Sequence, residues 1–197
     1  MISVQDLKSA ITERCQQYLA EHPLNQRATQ TLPLLQAKTH ILAQDITANF
    51  AIPRQNLSAM DGYAFAKGSE LAEHTALTIV GESVAGKAFD GTLQAGQGVR
   101  IFTGAIVPSD CDTVVMQENT NFNDIKDSID KTQFYAITLT KTATVSSNIR
   151  YQGEEVQTGE TVLTIGKRLN PTDISLLANL GVAQVSVFSP LTVGIIA

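Results

Sequence analysis

The residues of this chain whose types suit chemistry are oxygen-bearing side chains that flank short apolar runs. The stretch SAMDGYA contains Ser58 and Asp61, and the stretch FTGA contains Thr103 and Gly104. Carboxylates suit a hard cation such as Mg²⁺, whereas Arg and Thr side chains suit an oxyanion. The other candidates lie in QENT and in NIRYQGEEV, and they are Glu118, Arg150 and Glu155.

The pair Asp61-Gly62 by itself predicts a turn, because Asp-Gly is a strong turn signal and glycine tolerates a positive φ. A turn and a functional site are not exclusive. Taken singly, each of the candidate residues is more often a turn residue or a solvated charge than a ligand, so the residue types leave the question open.

Two glycine-rich stretches resemble nucleotide-binding motifs only in part. GESVAGKA, residues 81–88, has Ala88 where a P-loop needs a Ser or Thr hydroxyl, and no helix is predicted after it. GQGVRIFTG lacks the third glycine of a dinucleotide fingerprint. The histidines are dispersed and GxSxG is absent, so neither a zinc site nor nucleophilic catalysis is indicated.

The composition limits the classes of partner. The chain has 197 residues with a net charge of -5, so no global positive field attracts nucleic acid or an anionic membrane. No apolar run approaches the roughly 18 residues that span a bilayer, and the N-terminus is unlike a signal peptide. Cys15 and Cys111 lie far apart, and both are predicted to be buried thiols. We expect a cytoplasmic protein that does not bind nucleic acid or membranes.

Periodicity predicts helices in both terminal parts of the chain. Apolar residues recur at helical spacing after Ser3, which is a predicted N-cap; they are Val4, Leu7, Ile11, Cys15 and Tyr18. In NPTDISLLANLG, Asn170 is a predicted cap, Pro171 suits the first helical position and Gly181 ends the helix. Between them, from about residue 49 to 148, short β-rich runs alternate with Gly, Asp and Asn clusters, and no helix is predicted there.

This order predicts an α+β protein in which a β-barrel-like domain, residues 48–149, is inserted into a discontinuous domain, residues 1–47 and 150–197. The sequence ends within the apolar run LTVGIIA. Because a natural terminus rarely stops inside such a run, we expect the chain to be an N-terminal fragment.

Read together, these segments resemble the molybdenum-inserting enzymes of molybdenum cofactor synthesis, the MoeA type, which includes the E domain of gephyrin. The resemblance is carried, in order, by SAMDGYA, GESVAG, GVRIFTGAIVPSDCDTVVMQE, NIRYQGEEVQTGETVL and GKRLNPTDISLLANLGVAQVSVF. It covers nearly the whole chain. The family tends to have Gly-Arg where this chain has Thr39-His40, and Asp is common where it has Glu155.

The resemblance implies a transferase that inserts molybdate into adenylated molybdopterin with Mg²⁺ and releases AMP. It implies a homodimer formed along the elongated discontinuous domain, with residues 190–197 starting a missing nucleotide domain. On this resemblance Asp61 is the candidate catalytic or metal-binding acid and Thr103 a hydroxyl that lines the site. Ser58, Gly104, Glu118, Arg150 and Glu155 would line the same site. The fragment alone would be inactive.

A different class of function is also compatible with the sequence. The chain could be a β-rich binding or scaffolding module that dimerises through its flanks and carries out no chemistry.

Overall fold

The computed structural model describes residues 2–23, 26–130, 133–192 and 194. The elements in chain order are helix α1 (Val4–Glu21), strands β1 (Thr29–Pro33), β2 (Ile46–Thr47), β3 (Leu57–Ser58), β4 (Gly62–Ala66), β5 (Ala76–Ser83), β6 (Gln97–Ile101) and β7 (Cys111–Met116), helix α2 (Phe122–Ile125), strands β8 (Tyr135–Thr138), β9 (Ile149–Arg150) and β10 (Thr161–Leu163), helix α3 (Pro171–Asn179) and strand β11 (Gln184–Phe188). Short 3-10 helices lie at Leu34–Gln36 and Gln117–Asn119. The α+β class is therefore confirmed.

The chain divides into two compact units. Unit 1 contains residues 1–49 and 159–197, and unit 2 contains residues 50–158. Unit 2 extends beyond residue 149 because β9 pairs with β3 and Val156 bridges to Ile52, both within that unit. The predicted start of a further domain at residues 190–197 lies mainly outside the described residues.

Unit 1 has one apolar core between two small antiparallel pairs of strands and helix α3. Strand β1 pairs with β11, and β2 pairs with β10. Helix α3 begins as predicted: the Asn170 side chain accepts from the Asp173 backbone N–H, and the Asp173 carboxylate accepts from the Asn170 N–H. This reciprocal cap satisfies two free amides and fixes the start of the helix. The core residues are Leu34, Ala37, Leu42, Ile46, Leu163, Leu169, Leu177, Val185 and Val187.

Helix α1 forms where it was predicted, with Ser3 as its N-cap, but none of its residues is buried. The predicted apolar face is exposed, with Val4 73%, Leu7 47% and Ile11 55% accessible. Cys15, on the same face, is exposed, so the prediction that both thiols are buried is wrong for this one. No helix in the described part of the chain combines the length and the apolar character needed to cross a bilayer.

Unit 2 is built on a five-stranded sheet in the order β7-β4-β6-β5-β8. Strand β4 lies inside the sheet, and all five of its residues are buried. Its side chains alternate between two cores: Tyr63 and Phe65 join one cluster, whereas Ala64 and Ala66 join the other. The outer strands β7 and β8 do not pair with each other in the described sheet, so the predicted barrel-like closure is not confirmed.

Glycine is required at position 62 by a close approach of two strands. A Cβ atom there would lie 1.9 Å from the Val115 carbonyl oxygen of β7. Gly62 does not have a positive φ, and it is the first residue of β4. The chain does bend here, at residues 59–61, but the bend does not depend on a positive φ at Gly62, where the strand begins.

One local expectation for unit 2 also needs correction. Residues 49–148 were expected to lack helix, yet they contain α2 and the 3-10 helix Gln117–Asn119. Asn121 favours α2 indirectly, because its side chain accepts from the Thr138 N–H and ties the segment to β8. Because the segment is polar, its sequence has no apolar periodicity that would predict a helix.

Thr39 has φ of 71°, the left-handed conformation that a β-branched residue rarely adopts. Glycine occupies this region without steric cost. We expect Thr39→Gly to stabilise the protein by about 1 kcal/mol. Glycine makes the unfolded chain more flexible and so raises the entropy cost of folding, but the relief of backbone strain in the folded state is larger. Thermal unfolding by circular dichroism measures the effect. The control Thr158→Gly, at a position without a positive φ, should destabilise; equal losses for both variants would contradict the strain at Thr39.

Candidate functional site

The pairing of β4 brings three segments together at one edge of the sheet. Because β4 is antiparallel to both neighbours, its first residue lies opposite their last residues: Gly62 pairs with Ile101 of β6 and with Met116 of β7. Asp61 precedes β4, Thr103 follows β6 and Gln117 follows β7. The topology therefore places these three residues side by side, although 42 residues separate Asp61 from Thr103.

The Asp61 carboxylate is fixed by Thr103. Its Oδ1 atom accepts from the Thr103 backbone N–H at 2.8 Å and from the Thr103 hydroxyl at 2.8 Å. The Gln117 N–H donates to the Asp61 carbonyl at 3.1 Å. Oδ2 accepts no hydrogen bond from any residue that the structure describes, so this oxygen is available to a ligand. The structure thus brings Asp61 and Thr103, the two predicted catalytic residues, into direct contact.

The same contacts hold Asp61 in its charged form. The Thr103 backbone N–H lowers the pKa of Asp61, the Thr103 hydroxyl lowers it further, and the Arg100 charge adds a smaller effect against a small opposing cost of burial. Hydrogen bonds to the ionised form favour that form. Because the folded-state pKa is lower than the unfolded one, this stabilisation is present above the unfolded pKa and is lost as pH falls through the folded pKa.

Ser58 and Gly104 support the turn that presents Asp61. The Ser58 hydroxyl donates to the Met60 carbonyl at 2.6 Å, which closes the bend before Asp61. The Gly104 N–H donates to the Ser58 carbonyl at 2.8 Å, and Gly104 has φ of 79°. Ser58 is buried, so its hydroxyl is engaged in structure and does not face a ligand. Both residues lie at the predicted site, with supporting contacts to the backbone.

Arg150 and Glu155 form an ion cluster on the adjacent strand pair. Strand β9 pairs with β3, which places Arg150 opposite Leu57 and Ile149 opposite Ser58. The Arg150 guanidinium contacts both Glu154 and Glu155, with the Glu154 distance at 2.8 Å. Its charge is thereby neutralised within the chain, so Arg150 is less suited to an external oxyanion than its residue type indicated.

Glu118 lies near the site along the chain but makes no contact with Asp61. It follows Gln117 in the 3-10 helix, is exposed, and accepts only a long 3.5 Å contact from the Gln117 side chain. Its position beside the residue that contacts the Asp61 carbonyl keeps it a candidate for lining the site.

The described residues do not form a magnesium site by themselves. They contain no group of three or more His, Cys, Asp or Glu side chains that could hold a metal ion. Asp61 could supply one oxygen ligand, whereas Mg²⁺ needs near-octahedral oxygen coordination. The predicted Mg²⁺ would therefore need further oxygen ligands from outside the described residues.

Sequence reasoning missed Arg100 and Gln117. Arg100 Nη2 donates to Gln117 Oε1 at 2.6 Å, and the guanidinium carbon lies 4.9, 5.1 and 4.5 Å from the ring centroids of Tyr63, Phe102 and Phe122. The available signal was a cation inside the apolar run GVRIF, since arginine is seldom buried without a partner.

The rejected phosphate loop is a β-hairpin. Val84 and Lys87 exchange backbone hydrogen bonds of 3.0 Å across Ala85 and Gly86, and Gly86 has φ of 80°. No helix follows the hairpin in this described region, so the backbone here differs from the loop-then-helix arrangement of a P-loop.

Comparison with known proteins gives a consistent result. The family model described as the MoeA N-terminal region (domain I and II) matches residues 2–181. A molybdopterin molybdenumtransferase of Haemophilus influenzae is 37% identical over 169 residues, which are 86% of this chain and 39% of that protein. One of Staphylococcus aureus, strain MRSA252, is 34% identical over 181 residues, 88% of this chain and 41% of that protein. The chain spans about two fifths of the length of these curated relatives.

A solved structure is also similar. The crystal structure of a molybdopterin biosynthesis moeA protein from Pyrococcus horikoshii OT3 matches with a TM-score of 0.68 and 29% identity. The match covers 82% of this chain and 41% of that one.

We expect Thr103→Val to raise the pKa of Asp61 part of the way to its ordinary value. The substitution removes the hydroxyl donor and keeps the backbone N–H, which is the larger cause of the lowered pKa. The amide proton of residue 103 reports the titration in an NMR pH series. Thr161→Val, an exposed threonine of unit 1, is the matched control and should leave the midpoint unchanged. An unchanged midpoint in Thr103→Val would contradict the contact.

Proposed function

Because the chain belongs to the MoeA N-terminal family, we propose that it is the first part of a molybdopterin molybdenumtransferase. The complete protein would insert molybdate into adenylated molybdopterin and release AMP, in the synthesis of the molybdenum cofactor. The observation that carries the proposal is the Asp61–Thr103 pair at the edge of the central sheet, in the stretches SAMDGYA and FTGA that also carry the family resemblance.

The geometry suggests a positional role for Asp61. Its low pKa keeps it ionised at neutral pH and makes it a weak general base. Its free Oδ2 can accept a hydrogen bond from a water or a substrate group and hold it in one orientation. Cleavage of the phosphoanhydride needs an oxygen nucleophile, from water or molybdate, that is aligned with the phosphorus; such alignment supplies much of the rate.

Thr103 and Ser58 would maintain that orientation. Two donors on Oδ1 leave the carboxylate little freedom to rotate, and the Ser58 contact fixes the bend that carries it. Preorganised groups need no rearrangement during the reaction. The site is exposed on this chain, so a further surface must exclude water from it during turnover.

We expect Asp61→Asn in the complete protein to abolish molybdenum insertion while the fold is retained. Asparagine has nearly the same shape and keeps an oxygen for the Thr103 donors, so mainly the charge is lost. Losing an orienting carboxylate typically costs several kcal/mol of transition-state stabilisation, and each ~1.4 kcal/mol is tenfold in rate. Cofactor formation from purified substrates measures the effect, and retained activity would exclude the assigned role.

A mixed dimer tests whether Asp61 serves the neighbouring subunit. One chain carries Asp61→Asn and the other a disabled nucleotide domain, so that only one composite site stays intact. The mixed dimer should regain up to about half of the wild-type activity, by counting sites in a symmetric dimer. If both variants are folded and dimeric and no activity returns, Asp61 acts within its own chain or is only a turn residue.

We also propose that the protein is a homodimer that covers helix α1. None of the 18 residues of α1 is buried, and an isolated helix of this length is marginal in water. Packing of its apolar face against a second copy would supply the missing stabilisation.

We expect sedimentation velocity at micromolar concentration to show a dimer, which Ile11→Asp shifts towards the monomer. Ile11 is 55% exposed on the apolar face, and a charge there is costly in an apolar interface. Ser9→Asp introduces the same charge on the opposite face of α1 and should leave the dimer intact. A clean 21.2 kDa species for the unmodified chain would refute dimerisation of this chain.

A further inference from the structure

A cavity of about 410 Å³ opens in unit 2 beside strands β5 and β6 and helix α2. Its size lies in the range of small-molecule sites. Aromatic rings form much of its lining: Phe102, Phe122, Phe134 and Tyr135. The Phe134 side chain is 72% exposed, although large aromatic side chains usually pack. Such walls suit a flat ring, which would remove this apolar surface from water.

Arg100 lines the same cavity and has no anionic partner. It is half-buried, and it forms no ion pair with any residue in the described ranges. Nη2 donates to Gln117, whereas Nη1 is buried without a hydrogen-bond partner. The nearby Tyr63 hydroxyl is fully buried and makes no hydrogen bond of normal geometry, although Tyr135 and Arg100 lie close enough to influence its pKa. A half-buried cation with a buried, unused donor favours an anion or a strong acceptor that satisfies it.

Two carboxylates in the lining indicate which kind of flat ring the cavity would bind. Glu82 and Asp127 line the cavity, are exposed, and form no hydrogen bond or ion pair with the residues described around them. A pterin presents adjacent N–H donors along its 2-amino-4-oxo edge, which match the two oxygens of one carboxylate as a guanidinium does. Adenine offers one amino group and no adjacent ring N–H donor, so it cannot pair in this way with a carboxylate. Glu82 and Asp127 therefore favour a pterin over an adenine.

We propose that this cavity binds the pterin ring of the substrate, with an anionic group on the ring directed towards Arg100. The inference rests on the proposed function, which supplies a pterin substrate. Arg100, which lines the cavity, is near enough to Asp61 for its charge to lower the pKa of that carboxylate, so it links the cavity to the Asp61–Thr103 pair. Burial raises the pKa of Tyr135, so its hydroxyl stays protonated far above neutral pH.

The test is a fluorescence titration of the chain with pterin-6-carboxylate. Because the chain has no tryptophan, the pterin emission is read without protein background. We expect saturable quenching with a dissociation constant below ~1 mM, and at least ~10-fold weaker binding of unsubstituted pterin, which lacks the carboxylate. Absence of saturable quenching would overturn the proposal.

Variants locate the bound ring. Phe134→Ala and Arg100→Met should each weaken binding at least ~5-fold, whereas Val145→Ala, an exposed apolar residue of unit 2 outside the cavity, should have no effect. Should Arg100→Met fail to fold, Phe134→Ala and Glu82→Gln decide the matter, because both side chains are exposed. Unchanged binding in those two variants would overturn the site.

Two further arms separate the alternatives. AMP should not displace pterin-6-carboxylate. Displacement at equal concentration would assign the cavity to the adenylate half of the substrate and overturn the pterin proposal.

The variant Asp61→Asn should retain pterin binding. If pterin binds and the complete protein transfers molybdenum without Asp61, the assigned catalytic role fails while the cavity stands. If Asp61 is essential and no pterin binds, the cavity proposal fails alone.

Discussion

The close approach of β4 to β7 is the constraint on which unit 2 depends. Strand β4 pairs on both sides, and its first residue faces the Val115 carbonyl at a distance that leaves no space for a Cβ atom. Any other residue at position 62 would move the strand from β7. The register then fixes which residues follow β6 and β7 at this edge, so the geometry around Asp61 is a consequence of sheet packing.

That packing also holds strand β4 rigidly, while the residues just beyond its ends stay exposed. Side chains of β4 alternate into two apolar cores, which leaves no freedom for the strand to slip, because a shift by one residue would exchange the two faces. The residues just outside the strand ends are exposed and hydrogen-bonded to backbone. A carboxylate attached to so rigid a support can be held in one orientation without burial.

The parts that sequence could predict are those in which local chemistry decides structure. The Ser3 and Asn170 caps, the apolar spacing of both helices and the β-rich runs are local signals, and the structure confirms them. Gly62 was misinterpreted because its requirement comes from Val115, more than fifty positions away. Arg100 was missed for the same reason: its partners lie on other strands and on α2. Closure of a sheet depends on pairing between its outer strands, which periodicity does not reveal.

The distribution of unsatisfied groups points to one end of β6. In the part of unit 2 that the structure describes, Arg100 Nη1 and the Tyr63 hydroxyl are buried without a hydrogen bond of normal geometry, whereas Asp61 Oδ2 is exposed and open to a ligand. Other buried polar side chains of unit 2, such as Ser58 and Ser83, are bonded to backbone. Stability alone would favour pairing or removing these groups. A ligand bound in the aromatic cavity would complete these hydrogen bonds, and this is the physical basis of the proposed pterin site.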